Sequence, residues 1–402
     1  MPVIRTIAPP ALPAPVPDSP RTELPPAKLT PLEPVYEALP IVIPAKADVT
    51  GAMRPAPAGI EAGTVAAWAA ERSAIASALD RENEIDRVAI DEPGQPPVTE
   101  AGQKLLREVR AAFAADFRHR AAGDAVVAFY QLADAEGRGE IVRSSIVSLD
   151  KLRAAIKDAI AKGVKPPIDE DELDRQRATY IGLLGQVELG ATLLEGDLRR
   201  RIDFLGLKES RLQPTGDFSV PSTGFDTDAL VKQALESRQE LVALRTLYHG
   251  LTVENLPEVR DLLGSQPGLG GISRGTVPLL LRNRYDRIRA AAKAQVDAVL
   301  ATEVERRKQQ LFALIGEKER AAADEVRAQV AILREQSNQI GLARWRSEKL
   351  KAKLDELKKD DKGAATIVPA ELEWNRARAD VIQAVMAWHQ ARARLTTAIG
   401  VR

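Results

Sequence analysis

Three histidines are the residues of this chain with the widest chemical range, because an imidazole can bind a metal ion or transfer a proton near neutral pH. His119, His249 and His389 lie far apart in the sequence, and none belongs to an HxxxH or HxxE pattern that would place two ligands on one helix face. We therefore interpret them as surface or packing histidines. The chain contains no cysteine, which excludes disulfides, thiolate metal ligands and cysteine nucleophiles.

Two further segments contain residue types associated with ligand binding. The four consecutive acids at residues 169–172 could bind a cation, but the helix dipole also favours acids in a first turn, and we favour capping. Residues 268–273 resemble a dinucleotide-binding loop, yet they lack a preceding strand and a third glycine. No nucleophile, base and orienting residue occur together. We therefore expect no enzyme activity, no cofactor and no metal site.

Composition points away from nucleic acid and towards long helices. Lys and Arg together number 57 and so do Asp and Glu, so no basic field would attract a nucleic-acid partner. Hydrophobic residues make up 45% of the chain and aromatic residues only 4%, which suits helices packed through narrow seams. No run approaches the roughly 18 apolar residues of a membrane helix. The first residues also lack the basic and apolar regions of a signal peptide.

Apolar residues recur at spacings of three, four and seven along most of the chain, and this period predicts helices. Two patterns, over 99–161 and 281–359, predict very long helices, and shorter ones cover 64–85 and 226–248. The expected buried positions include Trp68, Ile75 and Leu79 on the first short helix, Val142, Ile146, Leu149, Leu152, Ile156 and Ile160 on the first long one, and Val299, Leu311, Val326, Val330, Leu333 and Leu354 on the second.

Each long helix is followed by a loop that must reverse the chain. Gly163 and Gly363 open these loops, which contain prolines, and return helices are predicted over 172–206 and 371–400. The first return helix contains four glycines, each costing up to about 1 kcal/mol of helix stability. We interpret them as sites of close approach by another helix. They are Gly182, Gly185, Gly190 and Gly196.

The two halves of the chain resemble each other. Both return helices begin with Glu-Leu, continue with an arginine-rich turn and end on an apolar residue followed by glycine. This predicts a tandem duplication. The expected organisation is a proline-rich disordered tail over 1–59, a first helical repeat over 60–212, a linker over 213–225 and a second helical repeat over 226–402.

This order of elements resembles the TolC-like outer-membrane efflux protein family over residues 98–402. Residues 229–241 are similar to the family's repeat opening, with Gln239 where proline is usual, and residues 128–132 resemble a stretch of its first long helix. Residues 277–284 are similar to its barrel-to-helix segment. The loops at Gly163 and Gly363 match the family's hairpin tips, and the return helices end as the family's do. The resemblance implies an all-α fold of two tandem, long antiparallel coiled-coil hairpins. Because 88–98 and 251–276 do not read as membrane strands, little or no β-barrel is expected.

The resemblance also implies a function and partners. It implies a homotrimer that forms a passive periplasmic tunnel for small molecules at the outer membrane, working with a periplasmic adaptor protein and an inner-membrane pump. The residues expected to bind the adaptor are the hairpin tips Gly163, Val164, Lys165, Pro166, Gly363, Ala364, Ala365 and Thr366. The alternative that stays open is a soluble helical scaffold or interaction protein of the cell envelope.

Overall fold

The computed structural model describes residues 57–88, 100–165, 168–202, 211–221, 224–256, 259, 293–360 and 363–400. In chain order the elements are β1 (Pro57–Ile60), α1 (Ala62–Glu71), α2 (Ala74–Val88), α3 (Glu100–Ala161), α4 (Glu170–Ile202), β2 (Arg211–Pro214), α5 (Thr227–Ser237), α6 (Gln239–Gly250), α7 (Lys293–Lys359) and α8 (Ala364–Ile399). The predicted all-α fold with two long antiparallel hairpins is confirmed for these residues.

The hairpins lie side by side through their inner helices. The first consists of α3 and α4, and the second of α7 and α8. Helix α3 packs against α8, so the order across the four helices is α4, α3, α8, α7. At about 1.5 Å per residue, the 62 residues of α3 and the 67 of α7 each extend for roughly 90–100 Å. Helices α4 and α7 are therefore the two outer members of the row.

Most of the seam predicted for α3 is buried, since Val142, Ile146, Leu149, Leu152 and Ile156 contact the neighbouring helices. Three expected core positions are wrong: Ile75, Ile160 and Val299 are exposed. Ile75 follows a break in the first short helix, where residue 72 leaves the helical conformation, so the face that contains Trp68 does not continue to it. Ile160 lies in the last turn of α3, beyond Ile156, the last buried residue of the seam.

A two-stranded parallel sheet joins the ends of the first repeat. Strand β1 pairs with β2 in the register Pro57 with Arg211 and Ile60 with Pro214. The sheet is fixed to the helices because Arg211 forms a partly buried ion pair with Glu136 of α3. Residues 57–59 of the predicted tail therefore belong to a strand, and residues 1–56 lie outside the described residues.

Both predicted short helices are interrupted, and each interruption lies where a return helix ends. Arg72, which ends α1, donates from Nη1 to the carbonyl of Ile202 at 2.8 Å. Ser237, at the end of α5, donates from Oγ to the carbonyl of Ile399 at 2.7 Å. The two contacts occupy corresponding positions in the two halves of the chain.

The second return helix begins seven residues earlier than predicted. Gly363 precedes its first turn, and its carbonyl accepts from the N–H of Thr366 at 2.9 Å. Pro369 lies inside the helix, where the proline removes a single backbone hydrogen bond. Burial of Val368 in the core near the tips offsets this loss, so the segment expected to be a loop is helical.

Two glycines with opposite surroundings give a stability prediction. Gly190 of α4 has open space where a Cβ would lie, whereas a Cβ on Gly400 would lie 2.9 Å from Cα of Arg238 on a backbone with φ of 78°. We expect Gly190→Ala to raise the free energy of unfolding by about 0.5–1 kcal/mol. Gly400→Ala should lower it by more than about 1 kcal/mol. Denaturant titration of both variants checks this, and equal effects would contradict it.

Candidate functional site: hairpin tips and outer helices

The tip of the first hairpin is a helix stop formed by glycine. Gly163 has a φ of 74°, which side chains with a Cβ disfavour, and its N–H bonds to the carbonyl of Ile160. The N–H of Val164 reaches the carbonyl of Ala159 at 2.9 Å, which completes a Schellman motif. The side chain of Val164 is 58% exposed, so the tip presents an apolar residue to solvent.

The acids that follow this tip begin the return helix. Asp169 accepts from the N–H of Asp171 at 3.3 Å, as a capping residue does. Glu170 lies 3.9 Å from Lys157 of the opposite helix, and Glu172 accepts from Gln176. These acids are used in capping and ion pairs, and no cluster of metal-ligating groups occurs among the residues that the structure describes.

The two tips lie at the same end of the helices. Ala364 and Ala365 of the second tip pack against a small apolar cluster that also contains Leu173 of the first hairpin. Gly363 and Thr366 are exposed, as are Gly163 and Lys165. The structure thus brings together the predicted tip residues, with two alanines partly buried rather than free, and Pro166 lies outside the described residues.

The first tip extends further than the second. Ser148 donates to Glu371 at 2.9 Å, so these residues lie at one level. Ser148 precedes Gly163 by 15 residues, whereas Glu371 follows Gly363 by only eight. The difference is about seven residues, or roughly 10 Å along the helices.

Polar contacts join the inner helices above the tips. Asn375 of α8 is buried and donates to Ser145 of α3 at 3.1 Å. Burial alone would raise the pKa of Glu371, but hydrogen bonds from Lys358 and Ser148 outweigh it, and the pKa is lowered. The carboxylate is therefore ionised at neutral pH and connects α3, α7 and α8.

The outward face of α4 is apolar and has no partner within the described chain. No helix of the described chain approaches its four glycines, because nothing lies within 4 Å of an added Cβ at any of them. Leu189 and Leu193 on the same face are 62% and 66% exposed. Small or leucine side chains recur there every three or four residues, opposite the face that packs on α3. We call this set the α4 stripe: Ala178, Gly182, Gly185, Leu189, Leu193 and Gly196.

The outward face of α7 also exposes large apolar residues. Leu342 and Trp345 are 66% and 59% exposed, and Nζ of Lys349 lies 5.3 Å from the centre of the Trp345 ring. The sequence analysis did not single out either outer face, because apolar spacing does not show whether a helix face is covered within one chain or between chains. In the sequence, the α4 stripe is a second series of residues spaced by three or four positions, offset from the series of α4 residues that is buried.

The three histidines are not brought together. His119 bonds to the carbonyl of Thr396 at 3.2 Å, His249 lies in the last turn of α6, and His389 is buried on α8. The segment 268–273 lies outside the described residues. None of the helices in the part of the chain that the structure describes is both long and apolar enough to cross a membrane.

Neither protein-family models nor curated proteins match this sequence. Solved structures do match. CusC, from a study of transmembrane channel formation, is 10% identical with a TM-score of 0.58, covering 92% of this chain and 98% of CusC. The MtrE outer-membrane channel of Neisseria gonorrhoeae is 12% identical with a TM-score of 0.55, covering 85% and 89%. The outer-membrane protein VceC of Vibrio cholerae is 11% identical with a TM-score of 0.54, covering 85% and 96%.

All three are TolC-family outer-membrane channels. The chain has a TolC-like fold. The structural neighbours are channels and not enzymes. Within the TolC-like fold, the hairpin tips, the α4 stripe and the outward face of α7 each present residues to solvent in the single chain.

Proposed function

We propose that this protein is an efflux component of the cell envelope, located at the outer membrane or in the periplasm. Its hairpins associate side by side as a homotrimer and enclose a passive tunnel for small molecules. The tips contact a periplasmic adaptor protein, which connects the tunnel to an inner-membrane pump.

The observation that carries this proposal is the pair of apolar outer faces. Leu189 and Leu193 on α4, and Leu342 and Trp345 on α7, form faces at opposite ends of the helix row, and each is solvent-exposed in the single chain. Two different surfaces at opposite edges favour head-to-tail contact between copies, and such contacts generate a ring when the rotation closes. Small residues in the α4 stripe allow a neighbouring helix to approach closely.

The dimensions of such a ring suit a tunnel. Three copies contribute twelve helices, and neighbouring helix axes lie about 8–10 Å apart. The circumference is then roughly 110 Å, which places opposite axes about 35 Å apart. Subtracting a helix diameter of about 10 Å leaves an opening of roughly 25 Å. Two copies would leave only about 13 Å by the same calculation.

The tips are the surface proposed for the adaptor. Val164 is apolar and exposed, Lys165 is charged and exposed, and both lie in the loop between α3 and α4. The second tip presents Gly363 and Thr366 at the same end. An adaptor that contacts both tips would meet apolar and cationic groups on the longer first tip and a hydroxyl group on the second.

Light scattering after size-exclusion chromatography tests the assembly. We expect a particle of about three times the 43.6 kDa chain mass at micromolar protein concentration. A strictly monomeric species at high concentration would contradict the tunnel. A trimer recovered wholly without detergent, in cells whose outer-membrane fraction lacks the protein, would favour the soluble scaffold instead.

A further inference from the structure

A buried aromatic cluster holds the segment that connects the two repeats. The crossover segment, residues 215–221, follows β2 and precedes α5. Its Phe218 is buried against α3 and α8, and Val220 packs beside it. Thr215 anchors the start of the segment, since its N–H donates to the carbonyl of Ile60 at 2.8 Å.

His389 of α8 lies at the centre of this contact and is only 5% exposed. Its ring stacks on Tyr130 of α3, with centroids 4.8 Å apart and planes 18° apart. The edge of Phe218 meets the same ring at 6.3 Å. The imidazole also hydrogen-bonds to the backbone of Phe218, so one histidine contacts both the inner helix and the crossover segment.

The surroundings of this ring favour its neutral form. Nε2 is buried and finds no hydrogen-bond partner among the described residues, so a second proton there would be unsatisfied. The charged and titratable groups around the ring are Tyr130 on α3, Asp217 in the segment and Arg392 on α8. Asp217 favours a protonated ring, but it is exposed and already accepts from the N–H and Oγ of Ser219.

We propose that the crossover segment is a pH-sensitive latch, held on the α3–α8 surface while His389 is neutral and released when the ring is protonated. This proposal goes beyond the proposed function and does not depend on assembly. Release would expose Phe218 and free the connection between the two repeats. The latch would therefore respond to acidification of the surrounding compartment.

The direction in which pH changes the attachment of the crossover segment follows from the direction of the pKa shift. Burial lowers the pKa of His389 below its ordinary value of about 6.5, with Arg392 acting in the same direction and the Phe218 hydrogen bond and Asp217 opposing them. When the segment is released, the His389 ring regains its ordinary pKa. Attachment is fully stable above about pH 6.5 and weakens by up to about tenfold per pH unit as the pH falls towards the lowered pKa.

Thiol accessibility tests the latch, because the natural chain has no cysteine. A single Val220→Cys reports on the segment, and a single Ile75→Cys on exposed α2 reports the pH dependence of the labelling chemistry. We expect the ratio of their methanethiosulfonate labelling rates to rise between pH 6.5 and 5.5, by at most about fivefold for a released ring with the ordinary pKa of about 6.5. In a His389→Phe background, which keeps a stacking ring without a titratable nitrogen, the ratio should stay constant.

Two outcomes would overturn the latch: a ratio that does not change with pH in the natural background, or an equal rise in the His389→Phe background. A direct titration does not depend on that variant folding. With only three histidines in the chain, carbon-13 ring labelling and NMR resolve His389. A ring that titrates at or above about pH 6.5 would also refute the proposal.

Discussion

The double substitution Leu189→Glu and Leu193→Glu is expected to convert the proposed trimer into monomers. Both leucines are exposed in the single chain, so they become buried only when a neighbouring copy covers the α4 stripe. Each buried leucine contributes about 1.5–3 kcal/mol, so losing both costs at least roughly 3 kcal/mol per interface. That is a hundredfold or larger loss of association at about 1.4 kcal/mol per decade, before the cost of burying two carboxylates is added.

Light scattering measures this loss, and Val147→Glu is the matched control. Val147 is also an exposed aliphatic residue, but it lies on α3, between α4 and α8 in the helix row, and not at an edge. The control should assemble normally, and both variants should retain the helical circular dichroism of the natural chain. An oligomer that survives the double substitution would refute the α4 stripe as the contact between copies.

Replacing Trp388 with alanine should cause the largest loss of fold stability. Trp388 is 1% exposed in the main core, and its ring meets His389 edge-on at 5.1 Å. Truncation leaves a cavity between α8 and its neighbours, and such changes cost about 3–5 kcal/mol. Urea titration followed by circular dichroism should show the free energy of unfolding falling by that amount, through a lower midpoint with an unchanged slope.

Trp345→Ala is the control of the same residue type. Trp345 is mainly exposed on α7, so its loss should change the unfolding free energy of the dilute, monomeric chain by no more than about 0.5 kcal/mol. The same substitution should weaken assembly, because Trp345 belongs to the outward face of α7. Equal destabilisation by the two alanine variants would contradict the burial that distinguishes them.

The long helices could be predicted from sequence because their stabilising pattern is local. Val142, Ile146 and Leu149 recur at the helical period, and the structure buries all three. The first reversal of the chain could also be predicted, since Gly163 adopts the left-handed conformation that glycine favours. The resemblance of the tip loops and repeat openings to known channels identified a fold that neither family models nor curated sequences matched.

Helix breaks and covered helix faces could not be predicted where they depend on contacts between residues far apart in the sequence. Residue 238 separates α5 from α6, and the end of α8 lies against it: Gly400 approaches its backbone closely. Nothing in the local sequence predicts that contact across about 160 positions. The sequence could not say which helix would approach the four glycines of α4, for a related reason. Sequence shows that a face is small and apolar, but not whether the same chain or another covers it.

The difference in length between the tips has a consequence for any ring of these hairpins. The first tip projects roughly 10 Å beyond the second, and the two would alternate around the circumference. The rim facing the partner would then be uneven, with one projecting tip and one recessed tip for every copy. A ring-shaped partner of matching symmetry would therefore bind in a limited set of rotational positions and could not rotate freely on the rim.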